Sequence, residues 1–315
     1  MLKSFSNYKK ALLIGIGGGA DIIGTIPTKL FLESYGIKCI LGGLPWERYS
    51  IDPFPGPRPF SQIINNEIIN DSLCWAKQDT KTLDGLFFSE SKASKVLKEN
   101  ILLVNIFNSS AEISKDLISF CKKNKVDLIV GVDVGGDVIA TGDENGLSSP
   151  LADSIMLSAL KRVGRAIETK IGVLGYGSDG ELKHSELNNS LSLISKKKGL
   201  IGMQGITNDS SKLMRKLISK IETDASRIPI TAFDGNYEPA KIRRGRLTID
   251  VHPFSQVTFF VKTSIVFKHV SLSAKLIHKS SNIWESNSIL LNNGFKTELD
   301  FEIKKHLISL EDTKL

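Results

Sequence analysis

The chain has 315 residues, with 41% hydrophobic and 24% charged side chains and a net charge of +7. These proportions are typical of a globular protein, and a chain of this length buries roughly three quarters of its unfolded surface. The sequence contains no apolar run long enough to span a bilayer, so we expect no membrane partner. Residues 1–10 lack a signal-peptide core and the cysteines form no zinc-binding pattern, so we expect a cytoplasmic location.

The excess positive charge lies in short clusters at residues 122–125, 196–198 and 243–246. These clusters have no interleaved aromatic side chains, and we therefore expect no nucleic-acid partner. The two lysine clusters are typical of solvated faces. The arginine cluster at 243–246 is better suited to a phosphate or a carboxylate, because a guanidinium group binds such anions through two parallel hydrogen bonds.

Short apolar runs alternate with helical segments along much of the chain. This alternation predicts an α/β fold with a doubly wound, mainly parallel Rossmann-like sheet and helices on both faces. We expect a single domain over residues 1–315, with a proline-rich loop insertion around 43–90 and a C-terminal helical extension around 270–315. Ligands of such sheets bind at the carboxyl ends of the strands. Five predicted strands end there in small or acidic residues: Gly17–Gly19, Gly42–Gly43, Asn108–Ser110, Asp133–Asp137 and Gly175–Asp179.

The first predicted strand, Ala11–Ile16, leads into a glycine loop and then a helix. This order offers backbone N–H groups and a helix N-terminus to an anion. The sequence G-I-G-G-G-A matches the dinucleotide-binding pattern only loosely. The second predicted strand, Ile37–Leu41, is followed by glycines where an NAD site has an acidic residue, which argues against an NAD-linked oxidoreductase.

The next segment, residues 42–60, contains five prolines, which exclude regular structure over most of its length. A long ordered loop of this kind is typical either of a lid over a binding site or of a strap across a sheet edge. The sequence leaves both interpretations open.

The strand Val126–Val132 ends in the sequence G-V-D-V-G-G-D-V-I-A-T-G-D-E. Its paired glycines permit positive φ and let the backbone approach a ligand closely. Acids crowded in this way are costly unless a cation or a hydrogen-bond donor meets them. The loop is therefore interpreted as a source of acid–base groups or of ligands for Mg²⁺ or Mn²⁺, with a solvated acidic turn as the alternative.

Later segments give weaker signals. Ser149, followed by proline, predicts a helix N-cap and puts Asp153 in the first helical turn. Gly199–Gly205 is predicted to be a turn-rich segment, and Ile228–Phe233 a short strand. Val257–Phe267 fits a strand and a buried helix equally well.

Three segments together resemble the domain-of-unknown-function 1152 family. They are G-I-G-G-G-A-D at Gly15–Asp21, the acidic glycine loop with S-P-L-A-D at Ser149–Asp153, and T-E-L-D-F-E at Thr297–Glu302. The resemblance spans nearly the whole chain and implies no particular reaction. The stretch D-V-G-G-D-V-I-A-T-G also resembles D-G-G-N-E-I-G-M-G of D-glutamate cyclases, with Asp137 at the position of the asparagine.

These features predict a protein that binds a nucleotide or a phosphorylated or carboxylated small metabolite, and they favour a hydrolase or a lyase. A non-catalytic ligand-sensing or scaffold protein is the alternative, and a homo-oligomer is left open. The candidate catalytic residues are Asp133, Asp137 and Asp21, of which Asp133 and Asp137 would also be the metal ligands if Mg²⁺ or Mn²⁺ is a cofactor. The candidate ligand-binding residues are Gly17, Gly18, Gly19, Gly42, Gly43, Ser109, Gly135, Gly136, Glu144, Asp153 and Gly177.

Overall fold

A nine-stranded sheet forms the centre of the protein. The computed structural model describes residues 5–312, so the outermost residues of the predicted domain lie outside the described range. The strands are β1 (Lys10–Gly15), β2 (Lys38–Gly43), β3 (Ile63–Ile68), β4 (Leu73–Thr82), β5 (Ile101–Val104), β6 (Leu128–Val134), β7 (Glu168–Leu174), β8 (Leu200–Gly205), β9 (Ala240–Ile242), β10 (Leu247–Ile249) and β11 (Val257–Lys262).

The strand order is β3-β4-β5-β2-β1-β6-β7-β11-β8. The central strands β5, β2, β1, β6 and β7 are mutually parallel, and antiparallel strands extend the sheet at both edges. Strands β9 and β10 form a separate antiparallel hairpin. The predicted mainly parallel α/β sheet is therefore confirmed.

Helices cover both faces of the sheet. They are α1 (Thr25–Glu33), α2 (Ser89–Leu97), α3 (Ser110–Asn124), α4 (Pro150–Val163), α5 (His184–Lys196), α6 (Asn208–Ile218), α7 (Ile228–Phe233), α8 (Thr263–His269), α9 (Leu272–Leu276), α10 (Ile283–Asn292) and α11 (Glu298–Asp312). One hydrophobic core lies under α3, α4, α5 and α8 to α11, and the other under α1, α2 and α6. Among the described helices, none is long and apolar enough to cross a membrane.

Burial on both faces explains the composition of the central strands. Every residue of β6 is buried, including the acidic residue near its end. A parallel strand covered by helices on both sides needs apolar side chains throughout. Gly131 in this strand leaves room for the helix above it, because a Cβ there would lie 2.7 Å from Leu160 Cδ1 of α4.

Two local predictions were wrong. Gly199–Gly205 contains edge strand β8, which pairs with β11 and whose side chains are partly exposed or exposed, so its weak apolar signal resembled that of a turn. Ile228–Phe233 forms helix α7, with proline near its first turn, where the missing N–H costs nothing. The open segment Val257–Phe267 contains both structures, strand β11 followed directly by α8.

Candidate active site

Five aspartates, four of them buried and Asp179 half-buried, meet at the carboxyl ends of the parallel strands. Asp133 lies near the end of β6, Asp153 in the first turn of α4, and the others in segments that follow β1, β6 and β7. The ends of parallel strands and the loops after them share one side of the sheet. Burial, followed by repulsion from neighbouring carboxylates, raises the pKa of each. We call this group the rim carboxyls: Asp21, Asp133, Asp137, Asp153 and Asp179.

Gly17 is surrounded by two of these carboxyls. Its N–H donates to Asp21 Oδ2 at 3.0 Å, and the N–H of Val134 approaches the same oxygen at 3.4 Å. A Cβ at Gly17 would lie 2.8 Å from Asp21 Oδ2 and 3.1 Å from Asp153 Oδ2. Any side chain at this position would therefore displace the carboxyls of Asp21 and Asp153.

Gly135 leaves space in the same way for the carboxyl of Asp179. Its φ of 145° is rarely adopted by residues with a side chain, and a Cβ there would lie 1.9 Å from Asp179 Oδ2. Asp133 accepts a hydrogen bond from the N–H of Val138 at 3.1 Å. Burial and neighbouring carboxylates raise the pKa of Asp133 to about 7 and that of Asp179 to about 6. Both groups therefore titrate close to neutral pH.

Asp137 lies beside Asp179, and its carboxyl has a strongly raised pKa. Burial and the charges of Glu181 and Asp179 raise its pKa well above the ordinary range, and it shares a hydrogen bond with Asp179. The Ser149 hydroxyl lies 3.2 Å from Asp137 Oδ2 and 2.7 Å from Glu181 Oε1. A hydroxyl has one hydrogen and donates to one oxygen at a time, and its shorter contact here is with Glu181.

Two buried carboxyl oxygens have no hydrogen-bond partner among the described residues. They are Asp137 Oδ1 and Asp153 Oδ1. Buried polar atoms are nearly always satisfied, and an unsatisfied one costs about 1–3 kcal/mol. Each of the two oxygens therefore lacks the donor that a water molecule or a ligand would supply.

Glu181 differs from the rim carboxyls because donors surround it. Its oxygens accept the N–H groups of Ser148 and Ser149 at 2.6 and 2.9 Å, and the guanidinium of Arg243 donates at 2.8 Å. Its charge is therefore balanced locally. It links Ser149, and through it Asp137, to the chain around Arg243.

Glu298 of α11 supplies the N-terminal cap of α4. Its carboxyl accepts the N–H groups of Leu151 and Ala152 at 3.1 and 2.8 Å. Ser149 is the N-cap residue of this helix, as predicted, with proline after it, but its hydroxyl bonds acidic neighbours and caps no helix N–H. Burial raises the pKa of Glu298 to about 8, although the two N–H groups favour its charged form.

Buried carboxyls continue beyond the rim toward α2. The Glu90 side chain occupies the space beside Gly43, where a Cβ would lie 2.3 Å from its Oε1. Burial, Glu47 and Asp21 all raise the pKa of Glu90. The space beside Gly43 thus admits an acid of the protein itself, whereas Gly42 packs against the main chain of Leu102.

Residues 44–60, which we call the strap, cover the glycine loop. The carbonyl of Trp46 accepts the Gly19 N–H at 2.8 Å. Glu302 of α11 holds the strap by accepting Trp46 Nε1 at 2.9 Å and the Gly56 N–H at 2.8 Å. The N–H groups of Gly17 and Gly19, predicted to receive an anion, are therefore engaged within the protein.

Residues 224–251, which we call the cap, cover the loop after β7. The cap has its own small apolar cluster formed by α7 and the hairpin β9–β10. A Cβ at Gly180 would lie 2.4 Å from Leu247 Cδ2, so the hairpin packs directly on this loop. Strap and cap together close the rim.

The other predicted ligand-binding residues have local partners. Ser109 forms a capping box with Glu112 at the start of α3, and Glu144 accepts the N–H groups of its own loop. Gly177 donates its N–H to the Gly135 carbonyl at 2.7 Å. Gly18 lies under the strap, where a Cβ would be 3.0 Å from Trp46 O, and Gly136 packs against Leu187. None of these contacts brings Ser109 or Glu144 to the rim carboxyls.

The rim does not have the geometry of a metal centre. Within residues 5–312, no group of three or more His, Cys, Asp or Glu side chains is arranged to hold a metal ion. The two unpartnered oxygens have hard-ligand chemistry, but the arrangement does not fit Mg²⁺ or Mn²⁺. A cavity of about 360 Å³ lies elsewhere, at the amino ends of the strands, and is lined by Lys29, Glu33, Gly36, Ile37, Lys38, Cys39 and Glu99.

The match to a known protein family covers most of the chain. The model for proteins of unknown function of the DUF1152 family matches residues 12–306. The chain belongs to the DUF1152 family. No curated protein and no solved structure matches it.

The motifs that resembled the DUF1152 family meet in one place. The first contributes Asp21, the second contributes Asp133 and Asp137, and S-P-L-A-D contributes Asp153. T-E-L-D-F-E contributes Glu298, which lies close enough to raise the pKa of Asp153. Segments far apart in this DUF1152 chain therefore build a single acidic site.

Sequence reasoning missed several members of the site. Asp179 had a signal, because it follows a predicted strand of the rim, and Glu298 lies within a recognised motif. Glu181 and Glu90 had none, since each follows a segment whose path over the rim depends on packing. Their roles became visible only from the contacts with Ser149 and Gly43.

Proposed function

We propose that this DUF1152 protein is a hydrolase or a lyase that acts on a nucleotide or another phosphorylated or carboxylated small metabolite at the rim. The proposal rests on the buried carboxyl of Asp137 next to Asp179, whose pKa is raised, with Asp137 Oδ1 and Asp153 Oδ1 unpartnered nearby. Buried groups with strongly shifted pKa values cluster at active sites. No ion pair among the described residues accounts for these two buried oxygens.

The roles follow from the protonation states. Asp133 and Asp179, with pKa values of about 7 and 6, are poised to accept a proton near neutral pH. Asp137 holds its proton more tightly and is the donor. A substrate hydroxyl or amine that donates to the unpartnered oxygens would lie between acid and base. Strap or cap must open for entry, because Asp137 and Asp153, which carry the unpartnered oxygens, are buried.

The test begins with a thermal-shift screen of nucleotides, sugar phosphates, amino acids and divalent metals. A ligand at 100 times its Kd adds about 2.7 kcal/mol of stability. Turnover of each hit is then followed by NMR in wild type, Asp137→Asn and the control Asp209→Asn, whose side chain is exposed on α6. We expect Asp137→Asn to bind the ligand and to lose at least a hundredfold in turnover, a typical loss for an acid–base group.

Two results would contradict the proposal. Turnover that survives in Asp137→Asn would show that Asp137 is not the proton donor. A ligand that binds but is converted by neither wild type nor the control would identify a ligand-sensing protein instead of an enzyme.

A further inference from the structure

Two arginine side chains and the main-chain N–H of a third arginine converge on one carboxylate beside the rim. Arg227 Nη2 lies 3.1 Å from Asp224 Oδ1, and Arg48 Nη1 lies 3.9 Å from Asp224 Oδ2. The backbone N–H of Arg243 donates to Asp224 Oδ2 at 2.6 Å. Positive charge therefore exceeds negative charge here, which is the reverse of the rim carboxyls.

This arginine group lies where strap and cap meet. Arg48 belongs to the strap, and its side chain is next to Gly19, whose Cβ would lie 3.7 Å from Arg48 Nε. Arg227 and Arg243 belong to the cap, and Arg243 also reaches Glu181 at 2.8 Å. The group is thus adjacent to both ends of the acidic site: the glycine loop and the loop after β7.

The backbone around Arg243 forms the turn of the hairpin β9–β10. Arg243, Arg244 and Gly245 have consecutive φ values of 53°, 57° and 82°, and positive φ is typical of tight hairpin turns. This turn directs the Arg243 N–H to the Asp224 carboxylate, which accepts it at 2.6 Å.

We infer that the Asp224 carboxylate occupies an anion subsite beside Arg48 and Arg227, and that a phosphate of the ligand binds there by displacing this carboxylate. The glycine loop is a poor alternative, since its N–H groups are engaged and buried carboxyls repel an anion. The arginine side chains remain 37–51% exposed, so a ligand can reach them. Arginine forks suit phosphate, which offers more acceptor oxygens than a carboxylate.

The inference rests on the proposed function for the identity of the ligand, since the subsite would hold the phosphate while the rim acts on the rest. It separates binding from chemistry. The arginines would supply affinity for the anion, and the rim carboxyls would supply proton transfer.

Isothermal titration with inorganic pyrophosphate tests the subsite without any turnover. We expect Asp224→Asn to bind about tenfold more tightly, because it removes a competing negative charge. Arg227→Ala should bind about tenfold more weakly, and Arg48→Ala should also weaken binding. The matched control is Arg215→Ala, which removes another exposed arginine that pairs with Asp234 and has no contact with Asp224 among those described. Arg243 is left unchanged because it also holds Glu181.

Equal pyrophosphate affinity in Arg227→Ala and Arg215→Ala would overturn the inference, as would unchanged or weaker binding by Asp224→Asn. Melting temperatures within a few degrees of wild type identify variants that have folded. A pyrophosphate response that follows these expectations while no substrate is turned over would retain the subsite and reject only the enzyme. Normal turnover in Arg227→Ala with undiminished pyrophosphate binding would reject only the subsite.

Discussion

Acidic side chains have opposite surroundings at the two ends of the parallel strands, which we call the amino edge and the carboxyl edge. At the amino edge, Lys29 pairs with Glu99 at 2.8 Å and with Glu33 at 3.1 Å, and both carboxylates are at least 36% exposed. Asp127 accepts the N–H groups of Lys9 and Lys10 at 2.9 and 3.0 Å. At the carboxyl edge, buried aspartates face one another and two of their oxygens have no partner among the described residues.

The difference separates acids that are paired within the chain from acids whose burial is not balanced in this way. Partners within the chain satisfy the acids of the amino edge, and those acids stabilise the fold. The rim carboxyls are less stable ionised than they would be in water, because burial and mutual repulsion favour protonation. A protein retains such groups where they bind or react.

The largest expected effect comes from filling the space beside Gly135. Gly135→Ala would force a Cβ to 1.9 Å from Asp179 Oδ2 and strain a φ of 145°. We expect a loss of about 2–5 kcal/mol in the free energy of unfolding, measured by urea denaturation. The control is Gly36→Ala at the amino edge, where φ is 77° but a Cβ would meet nothing within 4 Å. Equal losses in the two variants would show that the carboxyl contact is unimportant.

The pH dependence of stability should reveal the rim. A carboxyl whose pKa is raised by folding stabilises the native state below the unfolded pKa of about 4, and this stabilisation is lost as pH rises through the folded pKa. With folded values of about 6 for Asp179, 7 for Asp133 and 8 for Glu298, the free energy of unfolding should fall between pH 5 and pH 9. Each proton retained only in the folded state contributes a slope of about 1.4 kcal/mol per pH unit.

One substitution links this slope to the rim. Asp153→Asn removes a buried carboxyl with a raised pKa and should flatten the profile. Near pH 5 it should match wild type, and near pH 9 it should be about 1–2 kcal/mol more stable. Parallel profiles for the two proteins would mean that Asp153 ionises normally.

The corresponding change at the amino edge should have the opposite sign. Asp127→Ala leaves the N–H groups of Lys9 and Lys10 without their acceptor, and we expect a loss of about 1–3 kcal/mol at neutral pH. Urea denaturation at pH 7 measures it. A gain in stability would show that acids at the amino edge are destabilising as well, and the two edges would then not differ.

The smallest expected effect concerns the start of α4. Glu298→Ala removes the acceptor of two helix N–H groups and should cost about 1–2 kcal/mol, whereas Ser149→Ala should cost less than about 1 kcal/mol. Thermal unfolding compares the two variants. A larger loss of stability in Ser149→Ala than in Glu298→Ala would show that Ser149 is the more important residue at the start of α4.

Local patterns were enough for the elements whose residues bury one continuous surface. The parallel strands around Leu13 and Val130 appear in the sequence as uninterrupted apolar runs, because helices cover both faces. Edge strand β8 was missed since its side chains are partly exposed or exposed, and α7 was missed since six residues are too few to show helical periodicity.

The sequence by itself determined the α/β class, the family and the aspartates that follow predicted strands, because strand ends in a parallel sheet share one edge. Only the tertiary structure decided what surrounds them. It placed Glu298 at the start of α4, Glu90 beside Gly43 and the arginines beside Asp224. Such contacts join residues far apart in the chain, and their energy depends on burial and distance, which local sequence patterns do not contain.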